Sequence, residues 1–331
     1  MGLAVQFSTI VEMYQRITEK YPTQQRAVIL HKAGGKYAAI SYSDLKERVR
    51  KFGTGLAALG VSRGDNIGLI SENRPEWVIA DLGMLHLGAV NVPLYPSMTP
   101  KQIEFIFNDA GVKYAIVSNQ FQLNKVLSIL DQVKSLRKVI VIAGRELGDN
   151  DCVISFADVL ASGEQFEIKH PQYFELETKK VDPDDLLSII YTSGTVGNPK
   201  GVMLTHKNLV SNIQAAAECI PITRDDTFLS VLPLCHSFER MAGYYTAMSC
   251  GATIAFAESF DTLRENLREV RPHGRREPAE SHACIGSLVH PRQRPGCGKP
   301  AAGPPESGSL RTASRGHCRL APQHGRTHHL S

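Results

Sequence analysis

Short apolar runs that alternate with amphipathic stretches constrain this chain more than any other feature of its sequence. Runs at residues 27–30, 67–70, 89–92, 114–117 and 139–142 have the length and composition of buried strands. Helical periodicity covers 43–59, closed by Gly60, and 75–87, closed by Gly88. Two helix starts read as capping boxes, Thr9-Ile10-Val11-Glu12 and Thr99-Pro100-Lys101-Gln102. The second has proline at the first helical position and Gly111 as its stop. Strands and helices in strict alternation need crossover connections, so the pattern predicts an α/β fold with largely parallel strands. Residues 144–183 are polar and irregular, and are expected to connect two α/β halves with at most one short helix near 156–160. The alternation then resumes: a strand at 186–191, a helix from about 207, a strand near 228–232, a helix from about 238, a strand at 253–256 and a helix at 262–270.

The pattern stops abruptly between Pro272 and His273. Residues 273–331 hold eight Arg, one Lys, three Glu, seven His, seven Pro and eight Gly, but no Phe, Tyr, Trp, Met, Asn or Asp. Their net charge is +6 in a chain whose total is +4, so the body 1–272 is slightly acidic. A segment this poor in apolar residues does not offset the entropy of ordering itself, and is expected to be a disordered basic tail. The charge is spread over 59 residues with no aromatic side chain on which a base could stack, which argues against specific nucleic-acid recognition.

No window approaches the roughly 20 apolar residues of a membrane span, and no signal peptide is readable, so the expected location is cytoplasmic. Peripheral membrane contact stays open, and the sequence sets no oligomeric state. The seven Cys stand singly, without a C-x-x-C spacing, and neither they nor the tail His residues form a recurrent ligand pattern, so no metal site is expected.

The chemistry concentrates in Tyr191-Thr192-Ser193-Gly194-Thr195-Val196-Gly197-Asn198-Pro199-Lys200-Gly201-Val202. An apolar strand runs into a loop whose glycines let the backbone approach an anion, whose hydroxyls add donors, and whose lysine supplies charge. The spacing differs from the common P-loop, because Pro199 precedes the lysine and Gly201 follows it. An ordinary turn between a strand and a helix is the alternative reading of the glycines alone.

The whole string resembles the phosphate loop of the adenylate-forming superfamily, which contains the acyl-CoA synthetases. Leu232-Pro233-Leu234-Cys235-His236-Ser237-Phe238-Glu239-Arg240 is similar to a second signature of its long-chain fatty acid branch. Glu72-Asn73-Arg74-Pro75-Glu76-Trp77 and Gly88-Ala89-Val90-Asn91-Val92-Pro93-Leu94-Tyr95-Pro96 resemble early segments of the same group. The resemblance implies the N-terminal large domain of such an enzyme over residues 1–272, with two sheet-containing halves, one drawing strands from both ends of the domain. It implies ATP-dependent formation of an acyl-adenylate from a fatty acid, with Mg²⁺, and then transfer to CoA. Thr192, Ser193, Gly194, Thr195, Gly197 and Lys200 would hold the β- and γ-phosphates. His236 would lie near the acyl carboxylate and α-phosphate, with Glu239 beside the site. On chemistry alone, His236 is equally well a satisfied histidine at a helix start, and Glu239 a solvated carboxylate.

Two departures bear on function. Val196 stands where the superfamily has Thr, removing one hydroxyl worth about 1 to 3 kcal/mol if it contacts phosphate. After Pro272 the resemblance ends, without the Tyr-Gly-x-Thr-Glu and Thr-Gly-Asp segments or the C-terminal lysine domain. The expectation is therefore a truncated domain, its second half incomplete and its tail 273–331 the product of a frameshift, unable to complete catalysis. The alternative is a non-catalytic fragment that binds nucleotide or acyl group.

Overall fold

The computed structural model describes residues 3–21, 27–144, 150–192 and 198–272. All lie within the compact unit Met1–Val289; a second unit, His290–Ser331, and the rest of the expected disordered tail lie outside the described residues. In chain order the elements are α1 (Ile10–Lys20), β1 (Ala27–Ala33), β2 (Lys36–Ser41), α2 (Tyr42–Ala58), β3 (Asn66–Ile70), α3 (Pro75–His86), β4 (Val90–Leu94), α4 (Pro100–Asp109), β5 (Tyr114–Asn119) and α5 (Gln120–Leu127). After a 3₁₀ turn come β6 (Lys138–Ala143), β7 (Val153–Ser155), α6 (Phe156–Lys169), α7 (Tyr173–Thr178), β8 (Leu186–Thr192), β9 (Lys200–Thr205) and α8 (His206–Cys219). The last elements are β10 (Thr227–Ser230), a π-helix (Glu239–Thr246) running into α9 (Ala247–Ser249), β11 (Thr253–Phe256) and α10 (Leu263–Val270).

Seven strands form one sheet in the order β7-β6-β5-β3-β4-β8-β9, parallel except for the β8–β9 pair. The central strands are apolar on both faces because each face meets a separate core. Ile67 and Leu69 of β3 and Ile116 of β5 point into one cluster with α1, α2 and α3, whereas Ile70, Ala115 and Val117 point into the other with α4 and α5. Gly68 opens the second face: a Cβ there would lie 2.6 Å from the ring of Phe107. Four further strands form a second sheet, β10-β11-β1-β2, which draws strands from both ends of the described body. Among the described residues β10 has a partner strand on one side only. Helix α3 is buried on nearly every side, as an all-round apolar helix must be when it packs inside the molecule.

Much of the described part of the expected irregular connector is regular secondary structure. Val153–Ser155 joins the large sheet beside β6, and α6 continues for 14 residues, followed by the separate helix α7; residues 145–149 lie outside the described residues. Glycine explains the difference. A Cβ on Gly163 of α6 would sit 1.9 Å from the Lys51 carbonyl oxygen, and one on Gly55 of α2 would sit 2.1 Å from that of Val159. The two helices touch backbone to backbone, so these glycines are packing residues.

Two strands also escape the apolar-run criterion. β2 pairs antiparallel with β1 through Gly34-Gly35, both at positive φ (59° and 79°), the geometry of a two-residue hairpin turn. β9 is largely exposed and pairs antiparallel with β8. The Thr99–Gln102 capping box is complete in both directions. At α1 only half of the expected box forms: Thr9 accepts from the Glu12 N–H, but the Glu12 carboxylate accepts from the backbone and hydroxyl of Ser8.

Candidate functional site

In a parallel sheet, ligands bind beyond the carboxyl ends of the strands. Here β3 runs out into Asn73, β4 into Tyr95, β8 into the glycine-rich loop and β10 into Leu232–Arg240. All four segments are those singled out from the sequence; hydrogen bonds tie the first to the last, and Arg240 to β8 ahead of the loop.

The glycine-rich loop caps a hairpin, not a strand-to-helix turn. Thr192 at the end of β8 is in register with Lys200 at the start of β9, so these two exposed residues face each other across the strands that flank the loop. Ser193, Gly194, Thr195 and Gly197, with Val196, lie outside the described residues. The hairpin is rooted by the Tyr191 hydroxyl, which donates to the Asp109 carboxylate at 2.5 Å. Burial and that carboxylate push the Tyr191 phenol well above its ordinary range.

His236 is exposed, in the turn between β10 and the π-helix. Its Nδ1 accepts the Phe238 N–H at 3.2 Å, so the neutral ring carries its hydrogen on Nε2 and offers a donor. Glu239 is fully buried, and neither carboxylate oxygen has a hydrogen-bond partner. Burial pushes its pKa up to about 7; the Ser230 hydroxyl lies near enough to lower it somewhat but makes no full hydrogen bond to the carboxylate. The carboxyl lies over Gly243, where a Cβ would come within 2.4 Å of Oε1. A π-helix places this unpaired acid one turn from His236, and such segments concentrate at functional sites. The reading of Glu239 as a solvated helix carboxylate is thereby corrected.

Two anchors flank His236, and sequence reasoning missed both. On one side the Asn73 carboxamide donates to the Leu232 carbonyl (2.7 Å) and to the Ser230 hydroxyl (3.1 Å), and accepts the Leu234 N–H (2.8 Å). On the other, Arg240 pairs with Asp81 of α3, both buried, and donates to Ser188 of β8 at 2.8 Å. Asp81 also accepts from Tyr245 and from Asn91, each at 2.7 Å, and the Arg240 guanidinium lies 5.4 Å from the centre of the Trp77 ring. Desolvation opposes the guanidinium charge, but Asp81, Tyr245 and Tyr244 outweigh it and raise its pKa. The one available signal was an aspartate inside an otherwise apolar helix, Val-Ile-Ala-Asp-Leu-Gly-Met-Leu. Ser188 sits four residues before Thr192, and Arg240 four after His236, so one network joins the strand that carries the loop to the helix that carries Glu239.

The AMP-binding enzyme family matches residues 14–274. The chain belongs to that family. It is 33% identical over 227 residues to long chain acyl-CoA synthetase 7 of Arabidopsis thaliana, a peroxisomal enzyme by name, covering 66% of this chain and 31% of the relative. Fatty acyl-CoA synthetase A of Dictyostelium discoideum is 32% identical over 246 residues, covering 72% and 35%. The chain thus spans about a third of the length of these relatives. Its fold resembles part of an anthranilate CoA ligase solved with anthranoyl-AMP (TM-score 0.68, 22% identity, 80% of this chain and 48% of that one). A long-chain-fatty-acid-CoA ligase from Archaeoglobus fulgidus gives TM-score 0.67 at 22% identity, covering 82% and 52%.

Within the described residues no three His, Cys, Asp or Glu side chains gather as a metal site. No described helix is long and apolar enough to cross a membrane.

Proposed function

We propose that the chain carries the carboxylate-activating site of a long-chain fatty acid–CoA ligase. The observation that carries this reading is the Arg240–Ser188 link, which joins the helix bearing Glu239, with His236 in the turn before it, to the strand that leads into the glycine-rich loop. Names of relatives support the fatty acyl class.

The chemistry is attack by a fatty carboxylate oxygen on the α-phosphorus of ATP. The anhydride bond to the β-phosphate breaks and pyrophosphate leaves. Such a reaction needs positioning and charge neutralisation more than covalent help. Lys200 and Thr192 supply a cation and a hydroxyl at the mouth of the loop, and Ser193, Gly194, Thr195 and Gly197 complete the cradle for the β- and γ-phosphates. His236 offers its Nε2 hydrogen to the acyl carboxylate or the α-phosphate. With no carboxylate cluster to hold it among the described residues, Mg²⁺ would arrive on the phosphates of ATP. Transfer from the adenylate to CoA is the second half-reaction of the family reading.

Isothermal titration with Mg-ATP, followed by pyrophosphate release with dodecanoate, tests this. Binding that weakens roughly tenfold in K200M, together with dodecanoate-dependent pyrophosphate release, supports an adenylating site. Binding without release supports the non-catalytic fragment. No ATP binding overturns both.

A further inference from the structure

We propose that Asn73 is a positioning residue for His236, holding the Leu232–Leu234 segment from the end of a different sheet. No charge or periodicity in Glu72-Asn73-Arg74-Pro75-Glu76-Trp77 gives that stretch a role, yet its asparagine makes three bonds to one short segment about 160 residues away. The carboxamide oxygen takes the Leu234 N–H, while its nitrogen gives to the Leu232 carbonyl and the Ser230 hydroxyl. That is how a strand would bind this backbone, but delivered by one side chain in a turn where no strand pairs.

The consequence follows along the chain. Leu234 and Cys235 are buried and held, and the His236 N–H closes a turn onto the Pro233 carbonyl at 2.9 Å. The Arg240 N–H then bonds the His236 carbonyl at 3.0 Å, which starts the helix whose guanidinium is locked on Asp81. His236 is therefore an exposed residue suspended between two fixed points. Asp81 fixes the far one and Asn73 the near one. Without Asn73, the 230–234 segment loses its three side-chain bonds, and the backbone of His236 gains freedom on the side facing the glycine-rich loop's sheet.

The assay uses the full chain with ¹³C-labelled histidine, the His236 Cε1–Hε1 resonance being identified from H236N. In N73A that resonance shifts or broadens, whereas those of buried His86 and His206 keep their positions. The dissociation constant of a dodecanoyl sulfamate ester of adenosine, a stable mimic of an acyl-adenylate, rises roughly tenfold. Should N73A fail to fold, N73D carries the test, since it keeps the shape but cannot donate to Leu232 and Ser230. A His236 resonance unmoved in a variant whose His86 and His206 signals are native overturns the assignment. So does an unchanged dissociation constant. This ligand arm rests on the acyl-adenylation reading; if the unsubstituted chain binds no mimic, that reading fails, and the His236 resonance alone decides for or against Asn73.

Discussion

Replacing Asp81 by alanine should be the most damaging small change in this molecule. The carboxylate is fully buried and neutralises Arg240, itself only 2% exposed, while accepting hydrogen bonds from Tyr245 and Asn91. Asp81→Ala leaves a guanidinium, a phenol and a carboxamide without their acceptor in a site closed to water. Breaking a buried pair from one side costs about 3 to 5 kcal/mol, a large part of a total stability of roughly 5 to 15 kcal/mol. The melting temperature should fall by roughly 10 °C. The chain's single tryptophan, Trp77, is buried against Arg240, so its fluorescence during urea unfolding reports on the same site. The double variant D81L/R240M removes both charges together and should recover most of the loss, because the penalty lies in the stranded charge. A loss below about 1 kcal/mol in D81A, or a double variant no more stable than D81A, would refute the reasoning.

Glu239→Gln should stabilise the chain at pH 8 by about 3 kcal/mol and change little at pH 5. The folded carboxyl titrates near 7, well above its unfolded value, so the stability it contributes is present in acid and is lost as pH rises from about 4.5 through 7. An equal gain at both pH values in urea titrations would contradict this. His86 and His206 act in the opposite direction: burial holds both down to about 4, so their contribution is full above about 6.5 and erodes as pH falls to 4. The urea midpoint should fall across that window, and less steeply in H206Q. Gly163→Ala drives a Cβ onto the Lys51 carbonyl oxygen and should destabilise by about 3 kcal/mol or more, read by thermal melting.

What could be read directly from the sequence was whatever depends on neighbours within a few residues. The strand cores at 67–70, 114–117 and 139–142, the Thr99–Gln102 box and the proline start of α3 all stand where periodicity and capping put them. So did the family, because Tyr191 to Val202 and Leu232 to Arg240 are long, specific strings. Tertiary structure decided the rest. The packing role of the glycines at 55 and 163 was not legible because a sequence does not show that two helices will meet there, and β9 was missed because an exposed edge strand has no apolar alternation to display. The site itself depends on contacts at long range. Asp81 meets Arg240 across 159 residues and Asn73 meets Leu234 across 161. Whether Glu239 is solvated or buried without a partner was settled by the packing of the π-helix, since burial is set by what the rest of the chain places around a side chain and not by its neighbours in sequence.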